Sequence, residues 1–486
     1  EMTGYILIKE TKSYVFNMQG YDGCKLYIDG NMLADNDGLH KDFLEKHAEM
    51  YLTAGLHPFK IVAFNNKHPK GREVSLAWNT EGETFRWVPA ELLYASKKKL
   101  STAKINSYES GNPEDVASDN VKGYSNAIHP SFDLFTLHDA TITPKVGGID
   151  FLSNGKLAVC TWDSLGQVFL FENVFQGDPN KVKYKRIAWG LAEPLGLKVV
   201  DDKIYVLQKQ ELTQLVDNNG DEIIDEYRTI CNAWGATGNF HEFAFGLVYK
   251  DGYFYATLAT AIQPGGKSTI PQNKDRGKAI RIGLDGSYEV IASGLRTPNG
   301  IGIGVDNEIF IADNQGDWLP SCKILHLSKG AFFGNYSVEL YSVGKLDEKP
   351  PVVWLPQNEI GNSATQPTIL KDGPYAGQMA HGDVTHGGLK RVFVEKVNGE
   401  YQGVVFPFMQ GLEGGTNRLV WGPDGALYIG CVGSTGNWGQ FRKKQWGLQK
   451  IKFNGKPTFD LLAIRAKNNG FELEFTEPVS DKFGLN

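Results

Sequence analysis

Leu419-Val420-Trp421-Gly422-Pro423-Asp424-Gly425-Ala426-Leu427-Tyr428-Ile429 reads as an apolar strand, a Pro-Asp-Gly turn and a second apolar strand. The same unit stands upstream as Gly148-Ile149-Asp150-Phe151-Leu152 with Lys156-Leu157-Ala158-Val159, and as Gly196-Leu197-Lys198-Val199-Val200 with Lys203-Ile204-Tyr205-Val206-Leu207. It recurs as Gly246-Leu247-Val248-Tyr249 with Tyr253-Phe254-Tyr255-Ala256-Thr257, and as Gly300-Ile301-Gly302-Ile303 with Glu308-Ile309-Phe310-Ile311-Ala312; Gly387 to Val394 reads as a more irregular copy. The starts near 148, 196, 246, 300, 367 and 419 repeat about every 50 residues, a period that predicts a six-bladed β-propeller over 131–467. Loops converging at one end of its channel are where chemistry is expected.

Upstream, residues 1–78 alternate apolar and polar positions between Gly, Asp and Asn turns, as in Gly4-Tyr5-Ile6-Leu7-Ile8 and Tyr14-Val15-Phe16-Asn17-Met18. Period two predicts antiparallel strands and a β-sandwich over 1–90, with Lys41 to His47 as a loop or one helical turn. Tyr21 to Gly30, Asp35-Asn36-Asp37-Gly38, Leu52 to Pro58 and Leu76-Ala77-Trp78 resemble the protective-antigen-type β-sandwich module of adhesins, glycosidases and toxins, which often binds carbohydrate. The resemblance covers about the C-terminal half of that module. Residues 91–130, polar and carrying Lys97-Lys98-Lys99, are expected to connect the two domains. Phe471 to Pro478 reads as the first strand of a further β-domain or tail over 468–486, so a longer natural protein is expected.

The chain of 486 residues is 41% hydrophobic and 22% charged, with a net charge of −6 and five scattered Cys. That composition predicts an all-β, multidomain globular protein. The Cys spacing contains no zinc ribbon, thioredoxin or c-type haem motif. An acidic balance without Lys/Arg blocks argues against nucleic acid, and no apolar stretch reaches the ~20 residues of a membrane span. The chain opens on Glu1 without a basic and apolar leader, which is expected if a targeting peptide has been removed or was never included.

Three segments of the repeat region, Asn239 to Gly246, Gly294 to Gly300 and Asn417 to Tyr428, resemble the six-bladed soluble glucose and aldose dehydrogenases that use pyrroloquinoline quinone, with their sorbosone dehydrogenase relatives. The resemblance spans roughly 145–455. It implies His241 as the general base, and Arg296, Asn299 and Arg418 as holders of the cofactor's carboxylates. The chain departs from the family where an Asp should orient the base, reading Ala256 to Ala261, and where an Arg-Asn pair reads Arg296-Thr297. His241 could equally be a structural imidazole of the channel wall.

Further polar groups are placed at the ends of blade strands, and so at the channel mouth: Trp162, Asp163, Gln210, Asp313 and Trp318. Trp beside Asp and Asn supplies an apolar platform and planar hydrogen-bond partners for a sugar, or is ordinary turn chemistry. His381, Asp383 and His386 could act as acid/base groups or metal ligands, although strand alternation keeps His386 off the face of the other two. Asp217, Asn219, Asp221 and Asp225 have calcium-loop spacing, but Glu222 replaces the expected Gly; a solvated hairpin turn is the alternative.

The sequence therefore predicts an exported sugar-handling protein of the periplasm or cell surface. It would oxidise a sugar hydroxyl with pyrroloquinoline quinone and Ca²⁺ and pass electrons to a separate carrier. A non-catalytic carbohydrate-binding or scaffold subunit of a cell-surface complex is the rival reading, and a metal-assisted lactonase or polysaccharide lyase is the third.

Overall fold

The computed structural model describes residues 2–20, 23–38, 44–64, 74–79, 85–88, 92–94, 127–434, 438–440 and 443–479. The fold is all-β, a β-sandwich followed by a six-bladed propeller, and the chain divides into units 1–111 and 112–486. Most of the expected connection over 91–130 lies outside the described residues.

In the first unit, one sheet runs in the order Asn31–Asn36, Cys24–Ile28, Gly55–Ala63, Met2–Ile8 and Leu93–Tyr94. The other runs Leu44–Leu52, Lys12–Gly20, Val74–Asn79 and Arg86–Trp87. Alternation sends Ile6, Ile8, Phe16, Met18, Leu26 and Ile28 into one core. Leu44–Leu52 is a strand where a loop or helical turn was expected from Lys41 onward, because Leu44 to Leu52 pair residue by residue with Gly20 to Lys12. Residues 41–43 lie outside the described residues.

The second unit contains six four-stranded antiparallel sheets. Blades one to five are continuous in sequence, their first strands being Val146–Phe151, Gly196–Val200, Ala244–Lys250, Gly300–Ile303 and Ala364–Ile369. The sixth starts at Gly415–Trp421 and takes its fourth strand, Phe132–Thr136, from the beginning of the unit. That pairing ties the two ends of the ring together and covers an edge that would otherwise be open.

Glycine at the repeat starts has a steric reason. A Cβ on Gly148 would lie 2.4 Å from the Leu197 nitrogen, and one on Gly196 would lie 2.6 Å from the Gly246 carbonyl oxygen, so adjacent first strands pack backbone to backbone. The fifth copy differs from the sequence reading. Its first two strands are Ala364–Ile369 and Met379–Asp383, with a register shift between Ala364 and Pro367, and Gly387 to Val394 enters the third strand, Leu389–Val397. Residues 470–475 pair with Leu461–Lys467 in a two-stranded sheet, and the Arg391 guanidinium donates to the carbonyls of Leu461 and Leu462.

Candidate functional site

The first strand of each blade begins, and the second ends, at the same end of the ring, so the segments flanking these points converge. They enclose a cavity of about 370 Å³. Its wall includes Trp162 after the second strand of blade one, His241 and Phe243 before blade three, and Arg296, Thr297 and Asn299 before blade four. Asn314, Gln315, Asn362, Ser363, Asn417 and Trp438 add to the polar and aromatic lining, with Phe240 and Phe245.

His241 is buried, and its tautomer is fixed by its neighbours. Nδ1 lies 2.6 Å from the Thr260 carbonyl oxygen and therefore donates to it, leaving Nε2 as the acceptor for the Thr297 hydroxyl at 3.0 Å. Arg296 Nη1 donates to the same hydroxyl oxygen at 3.1 Å. Burial, then the nearby Arg296 charge, push the imidazole down to about 3 against the opposing Thr260 bond, so it is neutral at pH 7. The Thr260 carbonyl thus orients the ring where a carboxylate was expected from the resemblance, without the negative charge that would raise its basicity. Arg276 braces this segment by donating to the carbonyls of Gly235, Glu242 and Phe243.

Asp313 and Asp383 are buried behind the wall at equivalent positions, each ending the second strand of its blade. Asp313 accepts from the backbone N–H groups of Arg296 and Thr297, and Asp383 from those of Asn362, Ser363, Thr385 and His386. Both hold the wall rather than facing the ligand space, because backbone amides take their oxygens. Burial raises the Asp313 carboxyl above its ordinary range, while Lys323 and the amides oppose the rise.

Several expected site residues lie elsewhere. Arg418 is buried and spends its guanidinium on the carbonyls of Gly147, Leu195, Asn299 and Asn417 and on two amide side chains. A register shift between Thr416 and Arg418 places Asn417 in the cavity wall and turns Arg418 to a separate space of about 40 Å³ beside Gly148, Gly196 and Gln366. Asp163 closes its own turn on the N–H groups of Leu165 and Gly166, and Gln210 is exposed. Trp318 is half exposed against Tyr336, away from the lining. His381 is buried with Nδ1 on the Gly382 carbonyl, and His386 also stands outside the lining.

In the calcium-spaced loop, Asp217 accepts from the N–H groups of Asn219, Gly220 and Glu222, and Asp225 from Asn218. The turn closes on itself. Among the described residues, no group of three or more His, Cys, Asp or Glu gathers to hold a metal.

Trp438 was missed in the sequence because it sits in a Gly/Ser loop without strand alternation. Its signal was positional, since it follows the second strand of blade six as Trp162 follows that of blade one. The two rings stack with centroids 6.0 Å apart, and Trp438 also stands edge-on to His241 at 5.9 Å and beside Phe243 at 5.0 Å.

Comparison with known proteins divides along the same lines. Residues 1–91 match the PA14 domain family. The propeller is similar to a solved oxidoreductase described as a glucose dehydrogenase, from Thermus thermophilus, at 16% identity and a TM-score of 0.52, covering 66% of this chain and all of the other. It is also similar to the quinone-bound aldose sugar dehydrogenase of Streptomyces coelicolor, at 14% identity and a TM-score of 0.48, covering 67% of this chain and 99% of the other. The quinone domain of a Coprinopsis cinerea pyranose dehydrogenase aligns at 12% identity and a TM-score of 0.47, covering 66% and 96%. No curated protein sequence matches. At 16% identity the first of these likenesses shows the fold alone.

Pyrroloquinoline quinone carries three carboxylates, and among the described residues the wall offers them one cation, Arg296. Arg418 is already committed to carbonyls, and both His241 nitrogens are bonded within the protein. The donor set does not fit the quinone.

Proposed function

We propose that the propeller cavity is a carbohydrate-recognition site, and that the chain is a non-catalytic sugar-binding subunit of an exported protein, periplasmic or at the cell surface. The observation that carries this reading is the wall itself, in which the stacked Trp162 and Trp438 rings stand among the neutral hydrogen-bonding groups of Thr297, Asn299, Asn314, Gln315, Asn362 and Asn417. An apolar platform binds the C–H face of a sugar ring, while amides and hydroxyls, which donate and accept, match its alcohol groups. The neutral His241–Thr297 pair belongs to the same set: with its proton on His241 and one lone pair taken by Arg296, the Thr297 oxygen keeps one acceptor site, and the pair stores no charge. The PA14 match supports a second carbohydrate contact and an extracellular setting.

Titration of intrinsic tryptophan fluorescence with mono- and oligosaccharides tests this. Saturable quenching is expected from the wild type, with affinity at least about 10-fold weaker in Trp438→Ala, which removes one aromatic face. Unchanged affinity in a folded Trp438→Ala protein would move the ligand out of this cavity.

A further inference from the structure

Among the described residues, Arg296 is the only cationic side chain that lines the cavity, and no acidic side chain lines it. Among the described residues its guanidinium has no ion-pair partner. Nη1 donates to the Thr297 hydroxyl, Nη2 to the Gly266 carbonyl at 2.6 Å, and the buried Nε has no acceptor. The acids nearest in effect are spent elsewhere: Asp313 on the backbone of Arg296 and Thr297, and Asp317 on the Ser268 N–H. Burial lowers the basicity of the guanidinium against the opposing, longer-range pull of Asp313 and Asp317, and a guanidinium keeps its charge in proteins, so the cavity holds a positive charge without an ion-pair partner among the described residues.

A largely buried charge without a counterion is costly to keep, and a ligand that supplies the opposite charge recovers that cost on binding. From the cavity's single charge, its neutral amides and its Trp162–Trp438 wall we infer that the preferred ligand is a sugar bearing one carboxylate, a uronic acid or a uronate unit of a polysaccharide. Its carboxylate sits on Arg296 and its ring on the tryptophans. This rests on the carbohydrate reading above and deepens it. Both terminal guanidinium nitrogens keep N–H donors beyond those already used, and a planar fork suits a carboxylate better than an alcohol. A neutral hexose would fill the same space and leave the charge unpaired.

Calorimetric titration of the full chain with glucuronate against glucose, and galacturonate against galactose, separates the two levels. Each uronate is expected to bind at least about 30-fold tighter than its neutral partner. In Arg296→Met that preference falls to near unity, and in Arg296→Lys, which keeps the charge and loses the fork, it takes an intermediate value. Arg296→Lys carries the test if the methionine variant does not fold. Equal affinity for charged and neutral sugars in the wild type overturns this inference and leaves the carbohydrate reading standing. A uronate preference that survives in folded Arg296→Met also overturns it. Absence of binding by every sugar overturns both.

Discussion

Replacing Arg418 with methionine is expected to lower the unfolding free energy of the propeller by roughly 4 kcal/mol or more. The guanidinium reaches carbonyls flanking or within the first strands of blades one, two, four and six, at Gly147, Leu195, Asn299 and Asn417, over 2.6 to 3.2 Å. These acceptors are buried, and the Leu195 carbonyl also accepts the Gly246 N–H. A hydrogen bond to a charged donor is worth about 1.5–3 kcal/mol, and the methionine would desolvate the same carbonyls while returning no donor. Burial lowers the Arg418 pKa to about 10, so the group remains charged through the physiological range and the bonds do not depend on pH there. Arg418→Lys should recover less than half of the loss, because one ammonium cannot span acceptors from four blades. Urea unfolding followed by far-ultraviolet circular dichroism reads the effect; a loss below about 1 kcal/mol in Arg418→Met would show that the ring does not depend on this residue.

Acidification supplies the second large effect. His129 is held down to about 4 and His241 to about 3, chiefly by burial, and His381 and His386 are lowered for the same reason. All four have folded values below the ordinary value near 6.5. Above that pH they are neutral in both states and contribute no pH dependence. Below it, the unfolded chain takes up protons that the folded chain refuses, and stability falls with pH at up to about 1.4 kcal/mol per unit for each histidine. The fall continues until the folded values are reached. Asp313, raised by burial, acts in the opposite direction and offsets part of it, whereas His138, raised through its bond to Glu413, gains its stabilisation above pH 6.5 and adds little below it. Between pH 6.5 and 4.5 a net loss of roughly 5 kcal/mol is expected. Denaturant titrations across this range measure it directly. A flat profile would mean that the buried imidazoles are already protonated or become exposed without unfolding.

The parts of the fold legible in the sequence were those governed by local pattern. Gly148, Gly196 and Gly300 marked the inner strands because backbone contact between neighbouring blades excludes a side chain there. The fifth blade blurred because Pro367 and a register shift interrupt its first strand. At the cavity, Trp162, His241, Arg296 and Asn299 could be named because they flank recognisable strands. What could not be read was where side-chain donors are spent. Arg418 follows Asn417 at a bulge, and apart from Asn417 its acceptors come from blades more than a hundred residues away, so nothing nearby in sequence distinguishes a ligand-holding guanidinium from one that closes the ring. Asp313 and Asp383 were similarly opaque, since their partners are backbone amides, which any residue supplies. The absence of the carboxylate that the resemblance implies beside His241 was visible, but the Thr260 carbonyl in its place required the folded loop.

Recognition of sugar without oxidation is open to test by one reconstitution. The purified chain is mixed with pyrroloquinoline quinone and Ca²⁺, and quinone uptake and dye reduction are followed across a panel of neutral and carboxylated sugars. Saturable sugar binding with no sugar-dependent dye reduction is the predicted result, because one cavity guanidinium faces three cofactor carboxylates and His241 is bonded at both nitrogens. Stoichiometric quinone uptake with sugar-dependent reduction, abolished in a folded His241→Ala variant, would contradict it and make the propeller a dehydrogenase.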